Sequence, residues 1–134
     1  MKTKFLSILL IGALASFSSC KLFDPHKPPS VSFKTGTDYT SENATVDKGQ
    51  TIKVGIIANK EEDDMKTYNI SYSYDATTTT TTKETFTLSG SEAQRYEKDY
   101  EFTTRNESGT EKWYFTVTDR DGNIAKLSLT LTVN

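Results

Sequence analysis

The chain has 134 residues, a formal net charge of −2, one cysteine and one histidine. That balance lacks the concentrated basic face of a nucleic-acid binder, so no nucleic acid is expected as partner. A single cysteine leaves no intramolecular disulfide to staple the fold, and the size suits one domain stabilised by packed apolar side chains.

Met1-Lys2-Thr3-Lys4 is a basic start, followed by an apolar run from Phe5 to Phe17 and small residues Ala15, Ser16, Ser18 and Ser19. As a helix, that run would span about 20 Å against a hydrocarbon core of about 30 Å, so it reads as a cleaved signal peptide, residues 1–19. Phe17-Ser18-Ser19-Cys20 resembles the processing site of bacterial lipoproteins, although that pattern usually has an aliphatic residue where Phe17 stands and Gly or Ala where Ser19 stands. The resemblance implies cleavage before Cys20 and lipid attachment to it, and hence a cell-envelope protein held in the outer membrane of a Gram-negative bacterium. The alternative is an ordinary secretory signal beside a chance cysteine, which would leave an unexplained lone thiol in an exported protein. Two or three acyl chains hold a protein durably, where one binds only marginally.

Without residues 1–19 the chain keeps 115 residues and loses Lys2 and Lys4, so 14 basic side chains face 18 acidic ones, a net charge of about −4. Residues 20–29 carry Cys20 and all three prolines, Pro25, Pro28 and Pro29, and read as an extended tether of about 3 Å per residue. His26, the only histidine, falls in this segment, which predicts a solvated rather than a catalytic role.

From Ser30 to Asn134 the periodicity is two. Val31 and Phe33 alternate with polar neighbours, and Ala44-Thr45-Val46 precedes the turn Asp47-Lys48-Gly49-Gln50. Ile52, Val54, Ile56 and Ala58 share one face of Thr51–Asn59. Lys66, Tyr68, Ile70, Tyr72 and Tyr74 share another, then Phe86 with Leu88, and Tyr96, Lys98, Tyr100 and Phe102. Trp113, Phe115 and Val117 lead into Asp119-Arg120-Asp121-Gly122-Asn123, and Ala125, Leu127, Leu129, Leu131 and Val133 form the longest run. Seven to eight short strands with regular turns and no amphipathic helix predict an all-β fold, an antiparallel β-sandwich.

The stretches Trp113 to Asp119, Asp121-Gly122-Asn123 and Lys126 to Val133 resemble the closing hairpin of bacterial Ig-like and PKD-like domains, and Asp47 to Thr51 resembles an early turn of such domains. The resemblance implies an Ig-like sandwich over residues 30–134. There is no inter-sheet cysteine pair, Trp113 lies in the penultimate strand, and the Trp-x-Phe-Gly-Asp segment of PKD domains is missing. The likeness therefore carries over the fold and no functional residue.

Candidate chemistry is sparse. Asp119 and Asp121 have a calcium-loop flavour, but a hairpin turn with Gly122 at positive φ accounts for the same residues. Glu61, Glu62, Asp63 and Asp64 are a carboxylate block open to calcium binding; neighbouring like charges in a loop splay apart, which predicts a solvated tip. A hydrolytic triad needs a placed histidine, and paired-carboxylate chemistry needs a cleft that a domain without long insertions offers little room for. No enzyme activity, metal or cofactor is expected. Most tyrosines have the parity of their strands' apolar sets and read as core. Tyr114, opposite in parity to Trp113 and Phe115, and Tyr39, in the Gly36–Asn43 connection, are the candidates for ligand contact. Thr77 to Thr82 predicts an exposed connection or edge strand, and the acceptor-type triplets at Asn43, Asn69 and Asn106 read as coincidence in a bacterial protein. The function expected is a membrane-anchored, non-catalytic binding or adhesion module acting through loops away from the tether. The alternatives are an accessory subunit partnered with another envelope protein, or a glycan-binding lipoprotein.

Overall fold

The structure, a computed structural model, describes residues 26–134. The signal peptide, Cys20 and the first part of the tether lie outside the described residues. Eight strands follow in order: β1 (Ser30–Phe33), β2 (Ala44–Val46), β3 (Thr51–Asn59), β4 (Met65–Tyr74), β5 (Thr81–Thr87), β6 (Arg95–Thr103), β7 (Gly109–Asp119) and β8 (Ile124–Val133). A short 3-10 helix, Gly90–Ala93, joins β5 to β6.

These strands form an Ig-like β-sandwich of two unequal sheets. One has three strands in the order β1-β3-β6, and the other has five in the order β2-β8-β7-β4-β5. All pairings are antiparallel except β2 with β8, where Ala44, Thr45 and Val46 run parallel to Leu131, Thr132 and Val133. Between the sheets lies the core that the alternation predicts: Ile52, Val54, Ile56 and Ala58 of β3 face Tyr68, Ile70, Phe115, Val117, Leu129 and Leu131. Fully burying each such side chain contributes about 1.5–3 kcal/mol relative to exposure.

Two departures from strict alternation occur in β4. Lys66, which shares parity with Tyr68, is exposed, while Met65 is buried, because the β4–β7 register shifts between Met65 and Thr67. A second shift, between Ile70 and Ser71, lies on the β5 side. A bulge inserts one residue and rotates the strand's faces locally, which a reading of parity alone has no means of placing.

Turn chemistry matches the sequence at two turns, the β2–β3 connection between the sheets and the β7–β8 hairpin. Gly49 has φ +70° and Gly122 φ +91°, conformations that glycine adopts without a Cβ penalty. The turn after β4 is different: Asp75 and Ala76 carry φ of +52° and +59°, and Thr77 N–H donates to Tyr74 O at 3.0 Å. Two successive positive φ values make a type I′-like reversal, a conformation L-residues resist. Its threonines continue into β5, an edge strand exposed along nearly its whole length except at Phe86.

Candidate functional site

Three strands cannot cover five. Strand β5 overhangs the free edge of β6, and the inner side of β4 near its C-terminal end is left partly open. The result is a cleft of about 340 Å³ lined by Tyr72, Tyr74, Lys83, Tyr100, Glu101, Phe102, Thr103 and Trp113. It lies toward the end of the sandwich remote from the start of β1: Ser30 pairs with Asn59, whereas Tyr74 pairs with Glu111 and Thr103 with Thr51, at the opposite strand ends.

The lining is aromatic and held in place from behind. Trp113 stacks on Phe102 with ring centroids 3.8 Å apart, and Tyr72 stands 5.1 Å from Trp113 and 5.0 Å from Tyr74. The Trp113 indole N–H donates to Glu111 Oε2 at 2.9 Å, and the Arg105 backbone N–H donates to Glu111 Oε1 at 2.7 Å. Glu111 is 0% exposed, so both carboxylate oxygens are spent on fixing the loop and the indole. The Arg105 guanidinium lies 4.7 Å from the Tyr74 ring centroid and forms a forked pair with Asp75, with Nη1 at 2.8 Å from Oδ2. Asp75 Oδ1 also accepts the Thr110 N–H at 2.9 Å. Gly109 makes room for this: a Cβ there would sit 2.0 Å from Arg105 Nη2 and 2.3 Å from Asp75 Oδ1.

Electrostatics follow from these contacts. The Arg105 guanidinium, seconded by the Thr110 N–H, lowers the Asp75 pKa to about 2. Burial raises the Tyr74 phenol above its usual value, with the Glu111 charge adding to it, and burial does the same for Tyr100. Both hydroxyls therefore stay protonated at neutral pH, available as donors or acceptors. Half-buried Tyr72 and Tyr74 face the opening, while Lys83, Glu101 and Thr103 form an exposed rim.

The residues singled out in the sequence sit elsewhere and apart. Tyr39 lies on the outer face of the three-stranded sheet, its hydroxyl donating to Asp99 Oδ2 at 2.9 Å and its ring flanked by Lys34 and Lys53. Gly55 accommodates it, since a Cβ there would meet both Tyr39 and Lys34 under 3.0 Å. The hydrogen bond to Asp99 and burial raise the Tyr39 pKa. Tyr114 is half-buried on the outer face of the five-stranded sheet, with Lys126 at 4.0 Å and Lys112 at 5.5 Å from its ring centroid.

At the tether end, Asp119 is buried and accepts the backbone N–H and the side-chain N–H of Asn123, at 2.8 and 2.9 Å. Its carboxylate closes the hairpin. The acidic block is not one solvated tip: Asp64 pairs with Lys60 at 3.0 Å and accepts from Gln94, while Glu62 and Asp63 turn toward the tether. Lys60 and then Gln94 lower the Asp64 pKa. His26 Nδ1 lies 3.5 Å from Glu62, 3.3 Å from Asp63 and 3.8 Å from Asp121, and Lys27 N–H donates to Glu62 Oε2 at 3.2 Å. Pro29 is buried, so the residues just before β1 pack on the domain. Among the described residues, His26, Asp63 and Asp121 are the grouping whose donor atoms, within 4.8 Å of one another, could hold a cation. A second hollow, about 430 Å³ and also at this end, is lined by Asp64, Met65, Lys66, Leu88 and Arg120, among others.

The distal cleft had a partial signal in the sequence. Tyr72, Tyr74, Tyr100, Phe102 and Trp113 all have core parity, and they cluster at strand ends, where cover by the facing sheet is least assured.

No family model matches the chain, and no curated protein matches it. Among solved structures, a chitin binding domain from Burkholderia pseudomallei superposes with a TM-score of 0.49 at 11% identity, over 70% of this chain. This chain spans 58% of that one's length. One chain of the complex between Zinc 2-glycoprotein and Prolactin inducible protein from human seminal plasma gives a TM-score of 0.51 at 8% identity, covering 84% of this chain and 100% of that one. At that identity the likeness speaks to the fold alone.

Proposed function

We propose that the protein is a lipid-anchored envelope lipoprotein, held in the outer membrane through Cys20, whose domain is a non-catalytic binding module with its ligand site in the distal aromatic cleft. The carrying observation is the position and build of that cleft. It opens at the end remote from the tether, and its volume falls at the low end of small-ligand sites, about 300–1,000 Å³. Its rings are held by Glu111 and by the Arg105–Asp75 pair, so little side-chain freedom is lost on binding. The hollow near Met65 and Leu88 lies at the tether end and has no aromatic lining, which favours the distal cleft over it.

The anchor is tested by replacing Cys20 with Ala and fractionating cells: the variant is expected in the soluble fraction, and a variant that stays with the membrane refutes the anchoring. The site is tested by crosslinking intact cells that carry a photoreactive residue at Thr103, on the rim. Capture there, and none from the same probe at Thr45 in β2, the edge strand of the five-stranded sheet farthest from β5, supports the cleft; equal capture at both positions refutes it.

A further inference from the structure

We infer that the distal cleft is a subsite for a neutral saccharide, with Tyr72 and Tyr74 taking the C–H faces of the sugar rings and Lys83, on the rim, taking hydroxyls. This rests on the reading of the cleft as the ligand site and adds the chemical class of the ligand.

Three observations carry it. First, the cleft pairs flat apolar faces with polar edges: three tyrosines and one tryptophan line it, and a pyranose presents the same division, an apolar C–H face and a rim of hydroxyls. The rings of Tyr72 and Tyr74 stand 5.0 Å apart with their planes tilted by 44°, two apolar surfaces side by side at the opening. Second, the charged groups at the cleft are of both signs, Lys83 and Glu101 among its lining residues, Glu84 beside the Tyr100 hydroxyl and Arg105 over the Tyr74 ring, so no single sign of charge selects an ionic ligand. Lys83 is exposed on the rim, whereas the Glu101 side chain leaves β6 on its outward face. Third, the geometry works against the other obvious occupant, a peptide added as a strand beside β6. Lys98 sits 4.8 Å over the Phe86 ring and fills the strip that an added strand would have to cover. Along the same edge the outward side chains Arg95, Glu97, Asp99 and Glu101 are all charged, the device by which edge strands repel edge-to-edge pairing. What stays open is a pocket for one or two units of a ligand rather than a groove for a strand.

Trp113, the only tryptophan of the chain, lines this cleft and is 3% exposed, so its fluorescence reports occupancy of this site. The experiment titrates the full chain, purified in a sugar-free zwitterionic detergent, with neutral hexasaccharides of β-1,4-glucose, α-1,4-glucose, β-1,4-N-acetylglucosamine and α-1,6-mannose. A parallel arm uses an uncharged alternating Val-Thr hexapeptide. Saturable change with at least one saccharide, weakened roughly 3- to 10-fold by Tyr72→Ala and left unchanged by Tyr114→Ala, is the expected result. Lys83→Ala, on the exposed rim, keeps the test open should Tyr72→Ala misfold, and is expected to weaken the same saccharide roughly 2- to 5-fold with no change in melting temperature. Response to the peptide but to none of the saccharides overturns the saccharide and leaves the cleft as the site. Saccharide binding abolished by Tyr114→Ala and unaffected by Tyr72→Ala overturns the cleft and leaves the saccharide. Silence in both arms overturns both.

Discussion

Replacing Glu111 tests whether the buried carboxylate is what organises the distal end. Its two oxygens accept one N–H each, from the Arg105 backbone and the Trp113 indole, in a place water does not reach. Glu111→Leu keeps most of the volume and removes both acceptors. Each stranded donor costs about 1–3 kcal/mol. Relief of the desolvated carboxylate offsets part of this, as removing a buried ion often does. Arg105, whose own charge Glu111 supports, loses an anion at the same time. The net expectation is a loss of about 2–4 kcal/mol, a large share of the roughly 5–15 kcal/mol that holds a domain of this size together. Glu111→Gln keeps one acceptor and turns an NH2 toward the second donor, so it should cost about half as much. Urea unfolding followed by Trp113 fluorescence and by far-UV circular dichroism measures both, and the unchanged slope of the transition shows that the comparison is of stabilities. The expected order is wild type, then Gln, then Leu, with the native Trp113 emission shifted in the Leu variant. A Leu variant as stable as wild type, or more stable than the Gln variant, would show that the two hydrogen bonds do not hold the distal end.

Acid should weaken the same region through Asp75. Its folded pKa, about 2, lies below the ordinary aspartate value of 3.8, so its stabilisation is complete above that value and is lost as pH falls through about 2. Melting temperatures from pH 6 to 2 should therefore show a wild-type advantage over Asp75→Asn that shrinks below pH 4; an advantage independent of pH would refute the pairing. Tyr68 is wholly buried and its hydroxyl has no hydrogen-bond partner among the described residues, so Tyr68→Phe should gain about 1 kcal/mol in chemical denaturation. A loss of that size would mean that the hydroxyl is satisfied within the fold.

Much of the fold was legible before any coordinate because strand alternation is a local property. Thr51–Asn59 stands in the structure with the bounds read from the sequence, and the inward set of β6, Tyr96, Tyr100 and Phe102, is buried as its parity requires. Gly49 and Gly122 marked their turns for an equally local reason, their tolerance of positive φ. The alternation misled where register shifts: Lys66 looked inward and is exposed, because a bulge is defined by the partner strand and not by the strand that carries it. Glu111 and Asp119 share the parity of Trp113 and are buried with it, yet nothing in their own neighbourhood says so, since the donors that make burial tolerable come from Arg105, Trp113 and Asn123 after folding.

The site itself divides along the same line. Sequence alone determined that Tyr72, Tyr74, Tyr100, Phe102 and Trp113 face inward, because side-chain direction in a strand repeats every two residues whatever the partner. It was silent on whether anything covers them. That depends on how the strands partition between sheets, three against five, and on which edges remain free, both of which are set by pairings between residues far apart in the chain. Tertiary structure therefore decided that five inward-facing aromatics are not simply core: the narrower sheet ends before it reaches β5, and the rings beneath that gap line a cleft.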